Sequence, residues 1–279
     1  MRRKGRRKYE KNIYLCPKKH GGASMRGLLI KDFYCLKKQL INYVFIIVGV
    51  IVISIMFVLS YNFGNIHAGF TQIVESGQNT ETVVIQMARG AMLMFMLIPI
   101  ACTADLSNLF TDDENASFYK VAATFPVSIG KRVACRFIAG YLFIALGAAV
   151  DLVMTVILSS LTDIISFGKF CGVIVTFASL MLIYISMFIL LAYFLGNGKI
   201  TYANVIPLLI GAAIYIYANF DKLKDFITGV NDNALSELYN QATEFMFHRS
   251  YIVLIVAIIV SGGTYFTAVH IAVRKRGVA

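Results

Sequence analysis

The chain has 279 residues, 58% of them hydrophobic and only 15% charged, and its mean hydropathy is +0.71. That balance excludes an ordinary soluble domain, because too little polar surface remains to cover a core of this size in water. The 26 Lys and Arg outnumber the 15 Asp and Glu for a formal charge of +11, yet the surplus sits in a few short segments, so no nucleic-acid partner is expected.

Residues 1–24 carry nine Lys or Arg against one Glu and show no helical apolar stripe. As protein they read as a solvated basic tail able to touch anionic lipid. Gly21 and Gly22 can also be encoded as a purine-rich ribosome-binding sequence a short distance before Met25. Met25 is therefore the expected natural start, with the upstream residues an over-extended reading frame.

From Met25 the pattern changes. Leu29, Phe33, Leu36 and Leu40 recur at helical spacing, and Lys31 and Lys38 are expected on the opposite face. An amphipathic helix lying in the membrane interface and leading into the first span fits this pattern. A plain extension of that span is the alternative.

Six runs then have the length of membrane spans. Ile41–Tyr61, Phe170–Leu195, Ile200–Phe220 and Ser250–Val273 contain no Asp, Glu, Lys or Arg, while Val83–Ala104 and Phe137–Ser160 contain one charge each, Arg89 and Asp151. At about 1.5 Å per residue each crosses a hydrocarbon layer of roughly 30 Å. Residues 1–40, 105–136, 196–199 and the tail after Val273 hold 21 of the 26 Lys and Arg. Short loops rich in these residues stay inside, so both termini are expected in the cytoplasm of a bacterial inner-membrane protein. The first apolar run is a full span behind a polar stretch, which does not read as a cleavable signal peptide.

Residues 105–136 form the longest inner loop, and long loops in compact proteins are usually functional. Asp112, Asp113 and Glu114 open it; Asn115 to Thr124 can form a short helix bearing Phe118, Tyr119 and Val121; Phe125-Pro126 ends that helix. Ser128 can cap the next, which carries Lys131, Arg132 and Arg136 into the third span. Exposed aromatics beside acids on a short helix suggest a docking knob for a protein partner. A hairpin that only packs on its neighbours is the competing reading. Asp112 and Asp113 are expected at the solvated rim, where water and salt screen them.

On the outer side, residues 221–249 can form a further helix after Asn233, with Leu235, Leu238, Ala242 and Phe245 on one face. Gly168, Gly172 and the pair Gly262-Gly263 allow close helix approach. Asp151 and Arg89 are the two intramembrane charges. Asp151, expected in the outer half of its span, costs at least ~2.5 kcal/mol there if exposed to lipid. Either the two line a transport path or its outer gate, or they are structural, as an ion pair or as a protonated Asp151 in a helix interface.

No phosphate loop ending in Lys-Ser or Lys-Thr is present. The four histidines have no metal-ligand spacing, no Ser, Cys and His arrangement suggests catalysis, and the five cysteines suit a reducing compartment or the bilayer. The chain is not expected to be an enzyme or to hold a cofactor.

The run Met25-Arg26-Gly27-Leu28-Leu29-Ile30-Lys31-Asp32, the acid-rich loop with Phe118-Tyr119, and Phe125-Pro126-Val127-Ser128 before a basic pair together resemble the permease subunits of the type-2 ABC exporter family. The resemblance implies an all-α membrane protein of six transmembrane helices, with an N-terminal elbow helix and a cytoplasmic coupling helix between spans two and three. It makes Leu29, Lys31, Phe33, Leu36 and Lys38 the elbow residues, and Glu114, Phe118, Tyr119, Phe125 and Pro126 the contacts to an ATPase. Phe125 stands where many relatives have leucine. The implied partners are two ATPase subunits that bind ATP and Mg, a second permease copy or paralogue, and membrane lipid. The implied function is export of a hydrophobic or amphipathic peptide, lipid or drug by alternating access, antimicrobial peptides included. A non-transporting membrane scaffold or immunity protein is the alternative, and an intramembrane enzyme a third.

Overall fold

The computed structural model describes residues 25–63, 97–102, 106, 109–111, 113, 127–161, 167–196, 199–221, 224 and 244–276. Among them the elements are α1 (Met25–Cys35), α2 (Lys37–Phe63), α3 (Ile129–Leu161), α4 (Phe167–Leu195), α5 (Ile200–Ala218) and α6 (Ser250–Arg276), with no strand. All but α1 are long and apolar enough to cross a membrane, which makes five candidate spans among the described residues. The expected second span falls largely outside them, with residues 97–102 helical at its end.

Except for α5, which ends at Ala218, the helices are longer than the apolar runs that announced them. The third begins at Ile129, immediately after Ser128, whose carbonyl accepts the Arg132 N–H at 3.2 Å. Backbone hydrogen bonding carries a helix past the apolar boundary as readily as within it, so the charged first turns of α3 are helical too. Between α1 and α2 the interruption is a single residue, Leu36. Its N–H donates to Asp32 and its carbonyl accepts from Leu40, at 3.1 and 2.8 Å, so the helical ladder runs through the joint.

α4 is the central post, packed against α3, α5 and α6. One core gathers Leu36, Ile100, Leu106, Leu109, Val133 and Phe188 at the end where residues 106–113 lie. A smaller one holds Val50, Met154, Leu158, Phe170 and Val173 toward the other. Hydroxyls inside these apolar helices are satisfied by their own backbone: Ser179 donates to the Val175 carbonyl at 2.6 Å and Thr264 to that of Val260 at 2.9 Å. A cross-helix seam joins Tyr141 on α3, Ser186 on α4 and Ser261 on α6, each step 3.0 Å long. Away from these cores, Phe45, Val48 and Met56 on α2 and Leu208, Leu209 and Ile214 on α5 are exposed. Such rows are at home in lipid.

Gly196 and Gly172 have structural roles. Gly196 ends α4 at φ 75°, a left-handed geometry that a Cβ disfavours, and its N–H closes the last turn on the Ala192 carbonyl at 3.1 Å. Gly172 lets residues 244–248 lie directly on α4, since a Cβ there would stand 2.9 Å from the Met246 carbonyl oxygen and 3.2 Å from that of Phe247. Thr176, one turn on, donates to the same Met246 oxygen at 3.4 Å. Of the glycines expected to permit close approach, Gly172 does so; among the described residues Gly168, Gly262 and Gly263 meet nothing within 4 Å. Gly172→Ala should therefore lower stability by about 1–3 kcal/mol, and Gly168→Ala should not. Thermal unfolding followed by circular dichroism in detergent distinguishes the two, and equal melting of both variants and the parent would contradict the packing.

Candidate functional site

Charged side chains from three segments far apart in sequence meet beside α1. Lys31 and Asp32 come from α1, Asp113 from the start of the 105–136 loop, and Arg136 from the second turn of α3. Arg136 reaches both acids: one guanidinium nitrogen lies 3.3 Å from Asp32 and the other pairs with Asp113. Lys31 also pairs with Asp113 and stands 3.5 Å from Asp32. Two cations and two anions thus close a neutral ring. Asp32 is only 2% exposed, so its charge depends on these partners; losing one strands a buried charge.

Aromatic packing holds the ring in place. The Arg136 guanidinium lies over the Phe110 ring at 5.2 Å, and Phe110 meets Phe188 and Tyr193 of α4 edge-on at 5.4 and 6.2 Å. Leu106 and Leu109, just upstream, are buried in the core. A Cβ on Gly140 of α3 would stand 2.8 Å from Leu106, so this glycine admits the loop root. At the other end of the loop Val127 is buried too. Both roots of the loop are therefore fixed to the bundle, and the ring bolts one of them to α1.

Several expectations need correction. Lys31 does not project from α1 away from the apolar stripe; it turns into the ring. Asp113 is no screened rim acid, because its side chain is 18% exposed and carries two ion pairs. The stripe itself packs on protein: Leu36 is fully buried, Phe33 and Leu40 pack against the core, and Phe33 stacks on Phe143 of α3 at 5.8 Å. Leu29 is half-buried, while Ile30 and Tyr34 are the exposed apolar residues of α1. Asp32 and Arg136 were missed as site residues. The signal for Asp32 was its register, three residues after Leu29 and four before Leu36, which puts an acid on the buried face. Glu114, Phe118, Tyr119, Phe125, Pro126 and Arg89 lie outside the described residues, as does the Lys38 side chain.

Asp151 is fully buried on α3. It lies within electrostatic range of Tyr43, in the second turn of α2, and of Cys102. Its neighbours on α3, Val150 and Met154, pack in the smaller core, away from the end where the ionic ring lies.

A family model described as ABC-2 family transporter protein matches residues 81–272, well over half of the chain. The chain belongs to the ABC-2 transporter family. It is a multi-pass membrane protein and a transport component rather than a catalyst, and permeases of this family work with an ATPase subunit. The match spans the loop and α3 to α6, and leaves α1 and α2 outside its range. No curated protein and no solved structure matches the chain.

For this ABC-2 permease, Arg136→Gln should cost about 3 kcal/mol or more, because both acids lose their shared cation. Arg136→Lys should recover part of that, keeping the charge without the fork. Ile30→Ala, on the exposed side of α1, should stay within about 0.5 kcal/mol of the parent. Thermal unfolding in detergent measures all three, and an unchanged Arg136→Gln variant would dismiss the ring as a stabilising element.

Proposed function

We propose that the chain is the membrane-embedded half of an ATP-driven exporter in the bacterial cytoplasmic membrane. In this reading it has six spans with both termini in the cytoplasm. It pairs with a second permease copy or a paralogue, and two ATPase subunits bind ATP and Mg. The observation that carries the reading is the double anchoring of the 105–136 loop. A loop whose roots are buried among Leu106, Leu109 and Val127, and tied through Asp113 to Arg136 and Lys31, transmits force instead of absorbing it.

Phe118 and Tyr119, with Glu114, Phe125 and Pro126, form the ATPase contact at the tip of that loop. Nucleotide-driven movement of the ATPases pushes on the loop, and the ring passes the push to α1 and α3 together. α1 acts as the elbow: its Phe33 and Leu36 grip α3 while Ile30 and Tyr34 face lipid. The path between permease subunits then alternates its access. The substrate class is hydrophobic or amphipathic, peptide, lipid or drug, in keeping with apolar helix faces such as that of α5.

Replacing Phe118 and Tyr119 together by Ala should leave insertion intact, since neither lies in a span. Each buried aromatic anchor is worth ~2 kcal/mol or more at an interface. The double variant should therefore co-purify poorly with its ATPase and lose substrate-stimulated ATP hydrolysis in proteoliposomes. Full binding and transport would move the contact to α1 or to the 196–199 turn.

A further inference from the structure

The most unusual side chain in the bundle is one the coupling reading does not use. Asp151 has 0% of its surface exposed, and among the described residues neither carboxylate oxygen makes a hydrogen bond of ordinary geometry; the nearby backbone of Ile100 gives a weaker polar contact. Tyr43, 5% exposed, has a hydroxyl that is likewise without a partner, and it lies within electrostatic range of the carboxylate. Thr155, the nearest hydroxyl on α3 itself, already donates to the backbone carbonyl of Asp151 at 2.8 Å. Two buried polar groups thus lie near one another without hydrogen-bond partners among the described residues.

Among the described residues no cation faces Asp151. Tyr43 is the titratable group facing Asp151 from α2, and Cys102 the one from residues 97–102. The single charged residue of α4, Lys169, stands over the Phe247 ring at 5.6 Å. On α3, Arg136 is 15 residues away, about 22 Å along the helix, and is held in the ring. α6 carries His270 and Arg274 at its far end and touches the first turn of α3, where Gly130 lies near Tyr265 and Val269. A carboxylate stripped of water and given no counter-charge takes up a proton instead of remaining ionised.

The geometry points to Asp151 as a proton-binding site of the transport cycle: it is a carboxylic acid in the packed arrangement seen here, and it releases its proton to water when α2 separates from α3. The link to the cycle rests on the exporter reading; the protonated state does not. The step balances simply. The O–H bond of the Asp151 carboxyl breaks, the electron pair stays on oxygen, and a water molecule takes the proton; closing the interface reverses it. α2 is the element placed to open the site. It buries few of its own side chains, Tyr43 and Val50 among them, and leaves Phe45, Val48 and Met56 exposed. It is continuous with α1, which the ionic ring ties to the loop. Because the ring holds α1 to α3, the opening is a swing of α2 beyond the Leu36 joint, away from α3.

Infrared spectroscopy of the purified full chain in lipid nanodiscs tests the site without any ATPase. The parent should show a protonated-carboxyl stretch that persists in alkaline buffer, where exposed acids are ionised. The band should shift in deuterium oxide and be absent from Asp151→Asn. A parent without that band would overturn the proposal and favour an ionised Asp151 paired with Arg89; so would a band that survives in Asp151→Asn. In the complete ATPase complex, Asp151→Asn should change the pH profile of ATP turnover, removing the contribution of this carboxyl. Superimposable pH profiles for parent and variant would remove the proton from the cycle. Because the infrared measurement uses the permease alone, absence of an ATPase partner would sink the exporter reading and leave the site standing.

Discussion

A charge held away from water must find its opposite. Asp32 is almost wholly enclosed, and its partners arrive from two other parts of the chain. Arg136 cannot serve Asp32 unless α3 extends as a helix past the apolar run, and Asp113 cannot complete the ring unless the loop root folds back under Phe110. One electrostatic requirement thereby fixes the position of α1, the start of the loop and the first turns of α3. Apolar packing alone would leave these free to slide, since lipid covers apolar surface as well as protein does. The ring supplies the register that hydrophobicity cannot.

Two buried aspartates in the same bundle show opposite treatments of this constraint. Asp32 is neutralised by neighbours and stays put as a structural tie. Asp151 has no charged neighbour of opposite sign among the described residues. The first arrangement holds elements together, and the second responds when they part. The hydroxyl seam of Tyr141, Ser186 and Ser261 lies between these extremes: neutral donors and acceptors satisfy one another across α3, α4 and α6, holding the central post without the desolvation penalty of a charge.

The spans were legible because the bilayer imposes a simple rule: a helix that crosses it needs about twenty apolar residues. α2, α4, α5 and α6 begin or end within a few residues of the charge-free runs that announced them. The start of α3 at Ile129 was less visible, because its first turns carry Lys131, Arg132 and Arg136 and carry no apolar signature. The stripe of α1 was legible as a helical face, but its packing on protein was not, since periodicity reports that a face is buried and not what buries it. The ring was hidden by distance along the chain: Lys31 and Asp113 are 82 residues apart, Asp113 and Arg136 are 23 apart, and charge pairing across such gaps leaves no local pattern. Asp151 stood out at once as an acid inside an apolar run. Its company, Tyr43 and Cys102, depends on how three helices stack.

The central claim is that the ionic ring makes α1 and α3 move as one body when the loop is pushed. Pulsed electron resonance between spin labels at Ile30 and Lys131, both exposed, measures this directly in a cysteine-replaced permease bound to its ATPase. The label separation should be narrow and unchanged between the nucleotide-free and ATP-trapped states, and it should broaden in the Arg136→Gln background. A separation that changes with nucleotide while the ring is intact would show that α1 and α3 move independently, and would contradict the account.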